Sequence, residues 1–226
     1  MTGEAAFLAA LQYGDSFFPS GTLSFSWGLE TLVADRAVES AADVRRFIEG
    51  QLSSRWTTCD RPALVAAYRA ADTLAEVATV DDMLDVLALS REMREGGRRA
   101  GGALLDVHSS LNTAQAGAYR DLVRAGEAPG QLAAVQGLVW RGVGVSEGAA
   151  CAISAHVICT GFVGVAIRLG LIGHIDAQRI LTGLRSVICE LLAEPTLPID
   201  LASTYVPEAE IAMMRHETSR VRMFTN

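Results

Sequence analysis

His156 and Cys159 stand three residues apart, so on a helix they share a face, and Cys151 lies where it can fall near that face. Imidazole and thiolate so placed could supply part of a nickel, copper or zinc site, or serve a helical metal-binding protein or enzyme. A closed site needs two more ligands and acceptors to orient them, and the sequence locates neither. Cysteine is among the most buried residue types, and a lone histidine in an apolar helix is usually a hydrogen-bonded core residue. The core reading is therefore preferred and no metal site is assigned. His108, His174 and His216 stand singly, and no His-Glu-x-x-His pattern occurs.

Other chemistries lose their reagents one by one. All 19 basic residues are arginine. Without lysine there is no phosphate-binding loop ending in Gly-Lys-Ser/Thr, no Schiff base and no lysine general base. Gly142-Val-Gly-Val-Ser-Glu-Gly148 misses the dinucleotide-binding spacing by one residue and follows no strand, so it reads as a helix connection. No Gly-x-Ser-x-Gly turn is present. The acid pairs Asp81/Asp82 and Glu92/Glu95 sit among helical arginines, Arg91 pairing with Glu95 one turn on, and read as solvated faces. A formal charge of −7 argues against a nucleic-acid surface. Nothing in this inventory specifies an enzyme.

The elements that carry these residues are helical. Half of the 226 residues are hydrophobic, enough for a sizeable core. Phe7, Leu8 and Leu11 mark a first helix ending near Gly14, and apolar spacing predicts helix from Leu23 to Ala34 and from Ser40 to Leu52. Asp60 reads as an N-cap with Pro62 in the first turn of the next helix. Thr79–Asp82 reads as another helix start, running on toward Val107. Further helices are predicted over 114–125, 131–141, 146–169 and 175–193, with a loop over 195–207 and a short polar helix after it. No alternating strand or hairpin signal appears. Gly148–Ile167 is uncharged and long enough for a membrane span, but its Gly, Ala, Ser, Thr and Cys content and His156 favour a buried helix of a soluble bundle. The reading is one all-α domain over 1–226, of roughly eight to ten helices around that buried helix, with 208–226 a flexible C-terminal tail that binds a partner. The start lacks a signal peptide, so a cytoplasmic protein with four reduced cysteines is expected.

Three polar patterns exceed what core packing needs. The first is Asp15-Ser-Phe-Phe-Pro-Ser-Gly-Thr-Leu-Ser-Phe-Ser-Trp-Gly-Leu-Glu30, where Pro19, Gly21 and Gly28 interrupt aromatic residues. The second runs from Ser90 to Gly101 and puts Arg91, Arg94 and Arg98 on one helix face. The third is the basic end, Met214 to Thr225, in which Met223 and Phe224 are the residues suited to burial.

With these patterns the chain closely resembles the urease accessory protein UreF family. Asp15, Ser16, Pro19, Gly21, Ser26, Gly28, Leu29 and Glu30 match its opening motif, and Arg91, Glu92, Arg94, Glu95, Arg98 and Gly101 its middle one. Arg215, His216, Glu217, Arg220 or Arg222, and Phe224 match the ending. The chain departs at Thr22, where the family often has glycine, and at Gly96-Gly97, where it often has acids. The resemblance implies an all-helical homodimer with no catalytic activity and no cofactor of its own. It implies a bridge between the accessory protein UreD (UreH) and the GTPase UreG on apo-urease, coupling GTP hydrolysis to nickel insertion. The motif residues are then expected at partner surfaces, with Phe224 an apolar anchor and Arg215 and Arg220 its charged companions.

Overall fold

The computed structural model describes residues 3–19, 25–217 and 223–224. Gly21 and Arg220 lie outside them, as do the possible cap Thr22 and the start of the helix expected from Leu23. The described residues form helices α1 (Gly3–Gly14), α2 (Leu29–Ala34), α3 (Ala41–Gln51), α4 (Arg61–Arg69), α5 (Leu74–Leu87) and α6 (Arg91–Ser110). They continue with α7 (Ala116–Ala125), α8 (Leu132–Gly142), α9 (Glu147–Arg168), α10 (His174–Ala193) and α11 (Pro207–His216). A π-helical stretch, Leu52–Asp60, joins α3 to α4, and a 3-10 turn, Ile199–Leu201, interrupts the late loop. No strand occurs among the described residues, and the chain is a single all-α domain.

α8 is the most enclosed helix. Its sequence is apolar on every side, and Ala133 to Trp140 are all buried between α4 and α6. The α4–α8 approach is so close that a Cβ on Gly137 would stand 2.2 Å from the Leu64 carbonyl oxygen, which only glycine tolerates. α9 is the second hub, packed against α1, α2, α3, α4, α8 and α10. Among the described residues it is the one helix long and apolar enough to cross a membrane, and more than half of that stretch is buried inside the protein.

Several local expectations change. Asp60 is not a helix start but lies in a continuous helix from Ala41 to Arg69, its carboxylate 3.3 Å from the Arg55 guanidinium. The wider π turn explains how Pro62 is accommodated. Arg61 donates its N–H to Trp56, five residues back, and the Thr58 carbonyl, which Pro62 cannot serve, accepts the Ser203 N–H at 3.0 Å. Ser54 likewise accepts the Tyr205 N–H at 3.1 Å.

Thr79–Asp82 lies inside α5, not at a helix start. Asp81 is fully buried instead of solvated, because it accepts from the Gly130 and Gln131 N–H groups and the Tyr119 hydroxyl at 2.6–2.7 Å. Burial pushes its carboxyl up to about 6, against the pull of those donors. The expected run from Met83 to Val107 breaks at 88–90, where Ser90 caps α6 by accepting the Met93 N–H. Glu95 pairs with Arg99, not Arg91. α1 forms as expected, but Phe7, Leu8 and Leu11 face outward, 55–65% exposed.

Candidate functional site

The three polar patterns converge in space. α2 begins with a left-handed turn, Trp27 at φ 50 and Gly28 at φ 87, so the helix expected over 23–34 is interrupted across 25–28 and forms over its last six residues. Gly28 is required there: a Cβ would lie 2.6 Å from the Ala209 carbonyl oxygen of α11. Phe25 and Trp27 lie over Gly96 on α6, a contact that larger residues at that position would displace. Ser26 is fully buried beneath the turn, its carbonyl accepting the Leu29 N–H at 3.0 Å.

At the junction stands His216, the last residue of α11, 2% exposed. Its Nδ1 lies 3.1 Å from a Glu92 carboxylate oxygen on α6, and its Nε2 lies 3.2 Å from Glu30 on α2. Glu30 also accepts the backbone N–H groups of Met223 at 2.7 Å and Phe224 at 3.2 Å. Phe224 is 3% exposed and stacks under the Arg168 guanidinium, 4.2 Å from its ring centroid. One residue from each pattern therefore meets in a buried Glu30–His216–Glu92 node, on which the end of the chain is fastened.

The motif residues differ in exposure. Glu92, His216 and Phe224 are buried and Glu30 is half-buried, so in this conformation they hold the chain to itself. The described part of 208–226 is likewise folded onto the body, α11 lying against α2 and α6. Arg94 is half-buried and donates to the Ala88 carbonyl at 2.8 Å. Arg98 binds both oxygens of Asp85 at 2.7 Å, and burial works against the opposite pull of Arg98 and Gln131 on that carboxyl, which stays below the usual carboxylate range. Arg91 lies 3.7 Å from Glu217, and Arg215 reaches Asp35 at 3.1 Å. Exposed surface remains on Asp15, Ser16 and Pro19, with Phe17 92% exposed between them, and on Arg91, Arg98 and Arg215.

The alternative ligand set disperses. Cys159 and Cys151 are buried, and His156 is exposed beside α1, its ring 3.6 Å from where a Cβ on Gly14 would stand. Burial pushes the Cys159 thiol up to about 12, away from the thiolate a metal needs. No group of three or more His, Cys, Asp or Glu side chains that could hold a metal ion occurs among the described residues.

Two buried polar devices carried no sequence signal. Asp81 serves the start of α8 from fifty residues away. Arg61 lies against the end of α10, donating to the carbonyls of Leu191 at 2.7 Å and Glu194 at 2.9 Å.

An all-helical body whose chain end is fastened to it by a polar node is the class of protein that the fold and this site define. Comparison with known proteins agrees. The UreF family model matches residues 38–185. A urease accessory protein UreF from Trichodesmium erythraeum is 33% identical over 97% of this chain and 96% of its own length. Relatives of the same name from Paenarthrobacter aurescens, 29% identical over 96% of both chains, and Kocuria rhizophila, 27% identical over 97% of both, align as fully. The chain belongs to the UreF family of urease accessory proteins. It is an accessory protein and not itself an enzyme.

Proposed function

We propose that this chain acts in the cytoplasm as the UreF component of urease maturation, as a homodimer that bridges UreD (UreH) to the GTPase UreG on apo-urease. In that role it couples GTP hydrolysis by UreG to insertion of nickel, which is cargo for urease and not a cofactor of this protein. The observation that carries the reading is the near full-length relationship to urease accessory proteins. The three motifs that carry the resemblance also meet at one node. Partner contact is assigned to their exposed members, Asp15, Ser16, Pro19, Arg91, Arg98 and Arg215, with Gly21 and Arg220 assigned by motif alone. Buried Ser26, Gly28, Glu92, His216 and Phe224 and half-buried Glu30 and Arg94 shape that surface from beneath, with Glu217 held against Arg91.

The test is deletion of this gene from its urease operon in a heterologous host, followed by return on a plasmid. Urease activity and urease-bound nickel should disappear and then recover, and the tagged protein should retain UreD and UreG. Normal nickel loading without the gene would overturn the proposal.

A further inference from the structure

A cavity of about 90 Å³ lies among α3, the π-helical stretch, α5, α8 and α9, walled by Trp27, Leu84, Leu132, Ile158 and Phe162. One water needs roughly 10–15 Å³ of such space, so a molecule of several heavy atoms fits. Three buried glutamines line the cavity, Gln51 at 6% exposure and Gln131 and Gln136 at 5% each. Buried amides are normally paired at both ends, and these are not. Trp56 donates its indole N–H to Ser154 at 3.2 Å, and Ser154 donates in turn to Gln136 Oε1 at 3.1 Å. An indole nitrogen only donates, so this chain runs one way and leaves the Gln136 Nε2 hydrogens over. Gln131 gives its Nε2 hydrogens to Asp85 at 2.8 Å and to the Arg94 carbonyl at 3.1 Å, leaving Oε1 as an open acceptor. The Gln51 amide has no hydrogen-bond partner at either end among the described residues. Each of these open atoms keeps accessible surface.

We propose that this cavity is a binding site for a small neutral molecule with an apolar body and a head that both donates and accepts hydrogen bonds, the chemistry of a short aliphatic carboxamide. The Gln136 N–H groups suit its carbonyl, and the amide oxygens of Gln51 and Gln131 suit its N–H groups. Its alkyl body lies against the apolar wall.

Charge and polarity select this class over others. Among the described lining residues the charged side chains are Arg55 and Asp60, which meet at 3.3 Å, so the lining offers no net charge. A carboxylate or ammonium ligand would carry an uncompensated charge out of water, whereas a neutral head does not. Water serves the amides but gains nothing from the apolar wall, where an alkyl group gains by leaving water. Gln51 also lines the groove between α2, α3 and the late loop, and so separates the cavity from solvent on that side. Binding here is independent of the maturation role proposed above.

Isobutyramide, titrated into the isotope-labelled full-length protein and followed by NMR, tests the site. Saturable shifts should centre on Ala133, Gln136, Ser154 and Ile158, with a Kd of about 0.1–10 mM for so small a molecule. Isobutyrate, alike in shape but charged, should bind about tenfold more weakly or worse. Gln136→Leu keeps the size and removes the donor, so isobutyramide should bind it about three- to tenfold more weakly. Shifts that do not saturate, or that lie only on exposed residues, overturn the proposal, and so does equal binding of isobutyrate or unchanged affinity in Gln136→Leu. Should that variant not fold, nuclear Overhauser contacts in the wild type decide. Contacts from the isobutyramide methyls to those of Leu132 and Ile158 support the site, and their absence at saturation overturns it.

Discussion

Asp81, in the interior of α5, accepts the backbone N–H of Gln131 at 2.7 Å, and so caps a helix that begins fifty residues later. Gly130 and the Tyr119 hydroxyl donate to the same carboxylate, leaving the start of α8 without exposed backbone donors at that point.

Asp81→Ala should therefore lower stability by about 2–4 kcal/mol, because it strands two buried N–H groups and a hydroxyl. Urea unfolding monitored by circular dichroism measures this. A loss below about 1 kcal/mol would mean that the α8 start finds other acceptors.

His108 supplies a pH-dependent term of known sign. It is fully buried against Tyr13 and Phe18, its Nδ1 2.9 Å from the Thr113 hydroxyl, and burial pushes it down to about 4 from 6.5. The unfolded chain then binds a proton below pH 6.5 that the native protein refuses until about pH 4. The stability due to neutral His108 is full above pH 6.5 and falls as pH drops, by at most about 3 kcal/mol. Asp81, raised by burial, acts oppositely, losing stability as pH rises through about 6. Comparing wild type with His108→Gln cancels that contribution. The stability difference between the two should shift in favour of the variant between pH 7 and about 4.5, and a constant difference would refute the assignment.

Phe224 buries its ring near the end of the chain. Phe224→Ala should cost about 3 kcal/mol, and Arg168→Ala about 0.5–1 kcal/mol through the lost stacking. A melting temperature unchanged in Phe224→Ala would show that the chain end leaves the body without cost in the free protein.

Arg91 and Arg98 present 67% and 47% of their side chains to solvent despite their carboxylate partners. Ala at both should change stability by about 0–1 kcal/mol per pair, as exposed ion pairs do. Affinity for UreD or UreG should fall by about 2 kcal/mol or more if these arginines meet a partner, measured by calorimetry with each purified protein. Unaltered affinity for both would remove them from the interface.

The helical class was readable because periodicity and caps are local. Ser40 and Ser146 announce α3 and α9, and each accepts the N–H three residues on. Asp81 was not readable, since its partners come from residues 119, 130 and 131, and a lone acid beside Asp82 resembles any exposed helical acid. α1 shows a second limit: the spacing of Phe7, Leu8 and Leu11 defines an apolar face but not whether that face turns inward. For the site, sequence pattern identified Glu30, Glu92 and His216 but assigned them to partners. Their convergence depends on α2, α6 and α11 packing together, which no spacing within one motif encodes.

The π-helical stretch between α3 and α4 acts as a phase setter. Each residue of an α-helix advances the side-chain direction by about 100°. Removing a single residue between Leu52 and Asp60 while the wide winding is kept would turn all of α4 by roughly that angle against α3. Leu64 and Ala67 would then swing off Gly137, and the carbonyls that receive Ser203 and Tyr205 would point elsewhere. A one-residue deletion here should thus be far more damaging than one in the 195–198 loop, although both remove the same length of chain. In this fold the extra residue in the helix is the register mark from which the α4–α8 core and the path toward α11 are both aligned.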